Sequence, residues 1–394
     1  MEKLVGVVQP YAWGSPTVIP ELLGVEPTGQ PQAELWFGAH PLAPSTAGGE
    51  PLDKLVDRDP ETVVGAASVA AFGPRLPFLL KIIAADRPLS LQAHPSRQQA
   101  EEGWAREEAA GVPRDAPHRT YRDGWPKPEV LCALRKTEAL CGFREPGETY
   151  ALFGQLGARS VMALLEPLAD ESVPAVERLC VVFGRLLRLG AGDRPVVDAV
   201  LAAAAASADD PEVQAFAWTA LEIGSFYPGD PGVLAALLMN RITLRPNEAL
   251  YLPAGNLHAY LSGGGVEIMA NSDNVMRGGL TPKHIDVAEL LRVVDFTPGC
   301  GGLVEPREEA PGVWRYPVPA PEFALWRLEL GEDGAPVPAI GSGRILLVTE
   351  GAATLRSGKE ELVLARGESA LLTAAEHATV TGRATVFVGG PGVA

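Results

Sequence analysis

The segment RITLRPNEALYLPAGNLHAYLSGGGVEI, which runs from Arg241 to Ile268, decides the fold. Apolar and polar residues alternate along it, and Pro253, Gly255 and the three glycines at 263–265 interrupt the alternation. A period of two is typical of β-strands with one buried face, whereas Pro and Gly favour turns. We therefore predict short strands joined by turns here, with residues 263–265 among the turn positions.

The flanking sequence shows which other parts of the chain share this β pattern. Residues 76–134 contain short apolar runs such as LPFLLKIIA and LSLQAHP, and alternation returns from about Val313 to the end. Between Thr149 and Leu238 the chain is rich in Ala and Leu, with apolar residues three and four apart, which is typical of helices. The pattern predicts a mainly β protein with an inserted α-helical domain.

The length of 394 residues is enough for two or three domains. A run containing Pro and Gly from Thr297 to Gly312 marks the clearest boundary. We predict four successive segments: residues 1–148 as the first part of a catalytic domain, 149–239 as the helical insertion, 240–300 as the second part of the catalytic domain, and 301–394 as a C-terminal β domain without a metal site.

The overall composition narrows the function classes. Forty-nine acidic against 33 basic residues give a formal charge of −16, which disfavours binding to nucleic acid. The four cysteines form no C-x-x-C pair, so we expect buried thiols in a reducing compartment. No signal peptide or long apolar segment is visible, and we expect a cytoplasmic protein that does not bind membranes.

Two short motifs place polar side chains two residues apart on strands. Gln92 and His94 then face the same way and can bind one metal ion, and the Lys127 ammonium and the Glu129 carboxylate lie side by side on one face. Each motif alone has an ordinary alternative: a histidine satisfied within the fold, or an exposed Lys/Glu pair of little energetic consequence. His40 lacks a donor two residues before it, so we predict a structural role for it.

The PAGNLH string that ends at His258 resembles the second cupin motif, in which Pro and Gly shape a turn that brings the histidine to the barrel mouth. Asn247 and Ser262 depart from that motif, which usually has Gly and Asn there. The resemblance implies cupin-type jelly-roll β-barrels. In the C-terminal region Thr373 and Ala375 replace the Pro and Gly of the motif, which favours a barrel without metal.

Joint use of these motifs gives a stronger hypothesis than any one of them. Two imidazoles, a carboxylate and an amide oxygen suit one Zn²⁺ ion with an open position for substrate or water. Further along, Arg277 stands between Met276 and two glycines, and Lys283 adds positive charge. A solvated glycine loop would explain Asp273 and Asn274, but not the isolated Arg277.

The strings LSLQAHP, KPE, YLPAGNLHAYL and the segment from Glu267 to Lys283 resemble the successive signatures of the type I phosphomannose isomerase family. YAWGS and AELWFGAHP near the N-terminus are similar to the family too. The resemblance implies interconversion of mannose 6-phosphate and fructose 6-phosphate with one zinc ion per chain. It also implies a role for each site residue. The zinc ligands would be Gln92, His94, Glu129 and His258. Arg277, Glu267 and Lys127 would be catalytic or line the site, and Ser90 and Lys283 would bind the phosphate.

The isomerase hypothesis leaves one role open and has two competitors. Isomerisation passes through an enediolate, and the base that takes the carbon proton is Glu267 or Lys127, with Glu267 favoured because it is already a base at neutral pH. The alternatives are a metal-dependent cupin oxygenase and a non-catalytic sugar-phosphate-binding protein. We expect a small-molecule sugar phosphate as the partner, and a monomer.

Overall fold

The computed structural model describes residues 1–211, 213–331, 333–339 and 341–393. The strands are β1 (Glu2–Val5), β2 (Val7–Gln9), β3 (Glu34–Phe37), β4 (Thr46–Ala47), β5 (Glu50–Pro51), β6 (Phe78–Ala85), β7 (Gln92–Ala93), β8 (Glu129–Ala133), β9 (Thr137–Phe143), β10 (Met239–Leu244), β11 (Ala249–Leu252), β12 (His258–Ala270), β13 (Met276–Arg277), β14 (Leu303–Val304), β15 (Arg307–Ala310), β16 (Val313–Tyr316), β17 (Ala324–Glu329), β18 (Ala335–Pro336), β19 (Arg344–Ser357), β20 (Glu360–Ala365), β21 (Ser369–Leu372) and β22 (Thr379–Gly390).

Helices occupy most of the remaining regular structure. They are α1 (Val18–Leu23), α2 (Leu52–Arg58), α3 (Pro60–Val64), α4 (Ala66–Phe72), α5 (Arg97–Ala109), α6 (Pro146–Gln155), α7 (Met162–Leu165), α8 (Ala175–Leu187), α9 (Arg194–Ala206), α10 (Gln214–Phe226), α11 (Gly232–Ala236) and α12 (Val287–Val293), with short 3₁₀ segments at Glu166–Ala169 and Ala191–Asp193. The prediction of a mainly β protein that also contains helices is confirmed.

The described strands form two antiparallel sheets. One contains β2, β3 and β6 to β14, and the other contains β1, β4, β5 and β15 to β22. Residues from both sheets share one hydrophobic core, in which Leu80 and Ile268 of the first sheet lie with Leu347 and Phe387 of the second. Burial of these apolar side chains holds the two sheets together.

Strand β12 organises the first sheet because it changes partners halfway along. Its first residues, His258 to Ser262, pair with β9, whereas residues 263–270 pair with β6 and β8. A Cβ on Gly265 would lie 2.2 Å from the carbonyl oxygen of Cys132, and Gly263 has φ +103°. Glycine is required for this close approach. The predicted turn at residues 263–265 is therefore wrong, because these glycines allow a continuous strand to change neighbours.

Helices α6 to α11 lie between β9 and β10 in the sequence. Helix α8 shows why this part of the chain is helical, since its buried Leu179, Val182, Phe183 and Leu186 recur every three or four residues. These side chains join a core that also contains Leu290 of α12 and Phe296, which follows that helix. The helical segment therefore packs against the part of the first sheet that carries Leu257 and Ala259.

The N-terminal strand pairs where the sequence gives no signal for it. Strand β1 lies between β21 and β4, so the second sheet takes strands from residues 2–51 as well as from the C-terminal region. The division into four segments, with boundaries after residues 148, 239 and 300, stays a prediction. No helix in the described ranges is long and apolar enough to cross a membrane.

The cysteines differ from the expectation of uniformly buried thiols. Cys132 and Cys141 are buried, but Cys180 is only half-buried and Cys300 is exposed. The expectation is therefore wrong for Cys300, which follows the irregular segment after α12.

Candidate metal centre and active-site cavity

Three side chains from remote parts of the chain meet inside the first sheet. His94 follows β7, Glu129 begins β8 and His258 begins β12, and all three are buried. Their ligand atoms lie within 4.8 Å of one another. Glu129 stands between the two rings, with Oε1 3.4 Å from His94 Nε2 and Oε2 3.4 Å from His258 Nε2.

Hydrogen bonds fix which ring nitrogens face the carboxylate. His94 Nδ1 is 2.7 Å from the carbonyl oxygen of Asn274, and His258 Nδ1 is 3.0 Å from that of Asn256. A carbonyl only accepts, so each Nδ1 carries the proton and each neutral ring turns an Nε2 lone pair towards Glu129. Both Nε2 atoms are buried without a hydrogen-bond partner.

These lone pairs make the three residues fit a metal ion. Neutral imidazoles and a carboxylate that converge without a proton between them need a cation, and this donor set suits a borderline divalent ion. Burial, followed by the nearby Lys127 ammonium, lowers the pKa of His94 to about 4. Burial raises the pKa of Glu129, but Lys127 and the other neighbours outweigh it and hold that pKa well below its usual range. At neutral pH His94 and Glu129 are therefore in their metal-binding forms.

Local sequence explains how the two histidine loops are held. The backbone N–H of Gly255 donates to the carbonyl oxygen of His94 at 2.8 Å, and Gly255 has φ +79°. After Pro95, Ser96 and Gln99 form a capping box that begins α5. Asn247, which replaces the usual glycine of the cupin motif, has φ +72°, a conformation that Asn tolerates better than most residues. The departure at Asn247 therefore preserves the turn.

A cavity of about 550 Å³ opens beside this centre. Of the residues that the sequence predicts to bind metal, substrate or phosphate, only the two buried histidines do not line it. The lining residues are Glu129, Ser90, Gln92, Lys127, Glu267, Arg277 and Lys283. Gln92 lies directly across the ladder from both His258 and Arg277. The structure thus brings all the predicted site residues to one place, although their individual roles stay predictions.

The two candidate bases have different partners. Lys127 Nζ lies 3.0 Å from Glu129 Oε1, so its ammonium is held in an ion pair. Glu267 Oε2 lies 3.2 Å from Lys81 Nζ, and its Oε1 accepts a hydrogen bond of 3.0 Å from the Tyr260 hydroxyl. Burial raises the pKa of Glu267, and the Lys81 ammonium opposes that rise. Glu267 is a fixed, buried carboxylate with a raised pKa, as expected of a general base.

Two cations also line the cavity, Arg277 and Lys283. Within the described residues, Arg277 and Lys283 have no carboxylate within ion-pair distance. Burial and the neighbouring Arg122 guanidinium lower the pKa of Arg277, while burial, Arg277 and Arg122 lower that of Lys283. Cations that repel one another beside an open cavity form a binding site for a strongly anionic group.

Sequence reasoning missed a polar network around Glu267 in the cavity wall. Lys81 Nζ contacts Glu267 and lies 3.6 Å from Glu34 Oε2, and the Trp36 indole N–H donates to Glu34 at 2.5 Å. Lys81 is the one charged residue in the buried strand FLLKIIAA. A lysine in such a strand needs partners, so its position was the available signal.

Two other predictions concern the same cavity wall. His40, for which we predicted a structural role, lines the cavity, with Nε2 3.3 Å from Asp273 Oδ1. Asn274, which a solvated loop would explain, is fully buried, and its amide donates to the carbonyl oxygens of Asp123 and Trp125 at 2.8 and 2.9 Å. The solvated-loop interpretation is wrong, because Asn274 fixes the carbonyl that orients His94.

Comparison with known proteins gives the family. A profile described as the catalytic domain of type I phosphomannose isomerase matches residues 1–146. A mannose-6-phosphate isomerase of Salmonella typhimurium is 41% identical over 399 residues, covering 97% of this chain and 98% of the relative. The chain belongs to the type I phosphomannose isomerase family. The Escherichia coli K12 relative of the same name is 39% identical and covers 95% of each chain.

Solved structures support the same family placement across nearly the whole chain. A crystal structure of a mannose 6-phosphate isomerase bound with zinc and yttrium matches it with a TM-score of 0.88 at 37% identity, covering 99% of each chain. The match therefore includes the helical segment and the C-terminal sheet, which carry the weakest sequence signatures. His94 and Glu129 lie within the range matched by the family profile, and His258 lies beyond it.

Proposed function

We propose that this chain is a zinc-dependent mannose-6-phosphate isomerase, which interconverts mannose 6-phosphate and fructose 6-phosphate. The observation that carries the proposal is the buried set of His94, Glu129 and His258, whose unpaired Nε2 atoms face Glu129 beside a cavity with two unpaired cations. The names of relatives that share nearly the full chain give the substrate, and the zinc-bound structure gives the metal.

His94, Glu129 and His258 would hold the zinc ion, with the amide oxygen of Gln92 as a fourth ligand from the cavity wall. Zinc supplies Lewis-acid stabilisation of the negative charge that develops on the sugar oxygens. The chain itself supplies the neutral rings, because the carbonyls of Asn274 and Asn256 hold both protons on Nδ1. Orientation of the ligands by such contacts is a large part of metal affinity.

Glu267 acts as the carbon base in this mechanism. It removes the proton from C2 of the aldose and returns it to C1. The proton of the C2 hydroxyl passes to the C1 oxygen, and together the two transfers move the carbonyl from C1 to C2. Two observations support Glu267 as the base: contacts with Lys81 and Tyr260 fix its position, and its pKa is raised. Lys127 lies in an ion pair with Glu129, and in this mechanism it serves as a cation beside the developing charge.

Ser90 and Lys283 bind the substrate phosphate, and Arg277 stabilises charge nearer the reacting carbons. Among the described residues no carboxylate neutralises Arg277 or Lys283, so they give the cavity local positive charge in a chain with a net charge of −16. A phosphate dianion provides that missing partner. The arrangement also gives the substrate one orientation, with its phosphate away from the metal centre.

The finer architecture belongs to the same proposal. We infer that each antiparallel sheet is a cupin-type jelly roll, that the catalytic barrel is split by the helical segment into residues 1–148 and 240–300, and that residues 301–394 form a barrel without metal. The partner change of β12 and the left-handed Asn247 and Gly255 support the barrel assignment. We also propose a cytoplasmic monomer.

The proposal is tested by coupling fructose 6-phosphate formation to a dehydrogenase assay, before and after removal of metal with a chelator. We expect activity to disappear with the metal and to return with added Zn²⁺. Consumption of dioxygen with iron would favour the oxygenase alternative instead. Binding of mannose 6-phosphate without turnover in the zinc-loaded protein would favour a non-catalytic sugar-phosphate-binding protein.

A further inference from the structure

Two cysteines lie close together next to the strand that carries His258. Cys141 lies on β9, Cys300 lies in the segment after α12, and the two thiols are close enough for each to shift the pKa of the other. The backbones of residues 141–142 and 299–300 are also close, since a Cβ on Gly142 would lie 3.5 Å from Cys300 Cα and 2.1 Å from the carbonyl oxygen of Gly299. Gly299 in turn donates to the carbonyl oxygen of Phe143 at 2.8 Å.

The two thiols differ in a way that suits oxidation. Cys300 is exposed, so a small oxidant can reach it, whereas Cys141 is buried beneath it. The Cys141 contact lowers the pKa of Cys300, and the contact with Cys300, together with burial, raises that of Cys141. An accessible cysteine with a neighbouring thiol in contact is the arrangement found where oxidation yields a disulfide.

Cys141 is also connected to a metal ligand. It lies opposite His258 in the ladder between β9 and β12. Its Sγ is 3.4 Å from Asn256 Oδ1, and the carbonyl oxygen of the same Asn256 holds His258 Nδ1. A Cβ on Gly301 would lie 2.9 Å from Asn256 Nδ2, so the segment that carries Cys300 packs on this asparagine as well. Movement of either cysteine therefore reaches the residue that orients His258.

We propose that Cys300 and Cys141 form a peroxide-sensitive modification site that closes to a disulfide and loosens the metal centre. The Cys300 thiolate attacks one oxygen of hydrogen peroxide, which gives a sulfenic acid and a hydroxide that takes the Cys141 proton. The Cys141 sulfur then displaces hydroxide from the sulfenic acid. Two thiols and one peroxide thus become one disulfide and two waters, and a dithiol reductant reverses the change.

The disulfide changes the contacts on Asn256. Cys141 no longer has a thiol proton to donate to Asn256 Oδ1, and bond formation pulls β9 and the segment at 299–301 together. Loss of a contact that orients a metal ligand lowers metal affinity by about 10- to 100-fold. Disulfide formation itself does not depend on the isomerase assignment, whereas its effect on zinc and turnover does.

The chemical part of the test uses the reduced, zinc-loaded full chain treated with hydrogen peroxide. We expect two free thiols to disappear, and peptide mass spectrometry without reduction to find residues 141 and 300 cross-linked. C300S removes an exposed thiol and should abolish the cross-link, whereas C180S removes a half-buried thiol on α8 and should leave it intact. Sulfinic or sulfonic acid on Cys300 without a cross-link, or a cross-link to another cysteine, would overturn the proposal.

The functional part compares zinc affinity and isomerase activity of the same samples. We expect zinc affinity about 10- to 100-fold weaker in the cross-linked wild type, with recovery after a dithiol reductant and no change in peroxide-treated C300S. A cross-linked protein with unchanged zinc affinity would overturn the link to the metal centre. Reduced protein without isomerase activity would instead contradict the proposed function, whatever the cross-link result.

Discussion

The backbone N–H of Gly255 donates a hydrogen bond to the carbonyl oxygen of His94 at 2.8 Å, which joins the loops that carry the two histidine ligands. The loops are far apart in sequence, so this contact helps to set the separation of the rings, whose centroids are 5.2 Å apart. Gly255 can make it because its φ of +79° is open to glycine. The geometry of the metal centre therefore depends on the backbone as well as on the ligands.

Replacement of Gly255 tests this dependence. We expect G255A to weaken zinc binding and to lower the free energy of unfolding by about 1 kcal/mol or more, because Ala is strained at positive φ. Its Cβ would also lie 3.0 Å from the carbonyl oxygen of Val293. Zinc titration and denaturant unfolding measure both effects. G147A, in helix α6 with open space around its Cβ, is the control and should not weaken zinc binding.

Glu267→Gln tests the carbon base. We expect turnover to fall by about 10²- to 10⁴-fold, and exchange of the C2 proton with solvent to be lost, while zinc stays bound. Proton exchange followed by NMR in deuterated buffer, with metal analysis, separates these effects. E322Q, which changes another buried carboxylate outside the cavity, should retain exchange. Exchange that survives in E267Q would assign the base to another residue.

The pH dependence of turnover follows from the same residue. Burial raises the pKa of Glu267 above its usual 4.5, and the base form is the unprotonated one. As pH falls, Glu267 is therefore protonated earlier than an exposed glutamate, and kcat/KM should decline at a pH above 4.5. The measurement is a pH–rate profile with zinc content checked at each pH. A full rate maintained down to pH 4.5 with zinc bound would contradict this role.

Lys283 tests the phosphate site. We expect K283M to raise KM for mannose 6-phosphate by about 10- to 100-fold with a smaller change in kcat, because a hydrogen bond to a charged group contributes about 1.5–3 kcal/mol. Turnover of unphosphorylated mannose should change little. The matched control is K359M, which changes an exposed lysine between β19 and β20 of the second sheet. Equal losses for both sugars in K283M would place the phosphate elsewhere.

Sequence was sufficient for the metal centre because ligand spacing on strands is a local property. The alternation of side chains along a strand predicts that Gln92 and His94 point the same way. Pro253 and Gly255 predict the turn before His258. Asn247 replaces the usual glycine of the cupin motif, but the turn is preserved because Asn can also adopt a positive φ. The other predicted lining residues, which the family resemblance implied, lie in the same cavity.

Long-range pairing was not readable in the same way. Nothing local shows that β1 joins the C-terminal sheet, or that the glycines at 263–265 let β12 change partners. The contacts of Lys81 with Glu34 and Glu267 depend on strand register between β3, β6 and β12. Register is set by packing of the whole sheet, so these partners emerge only from the fold.

The central claim is that one zinc ion is held jointly by His94, Glu129 and His258. Anomalous diffraction at the zinc edge from crystals of the zinc-loaded protein tests it most directly. We predict one strong peak at about 2.0–2.2 Å from both Nε2 atoms and from a carboxylate oxygen of Glu129. A zinc-loaded crystal with its peak elsewhere, or with no peak between these three side chains, would contradict the account.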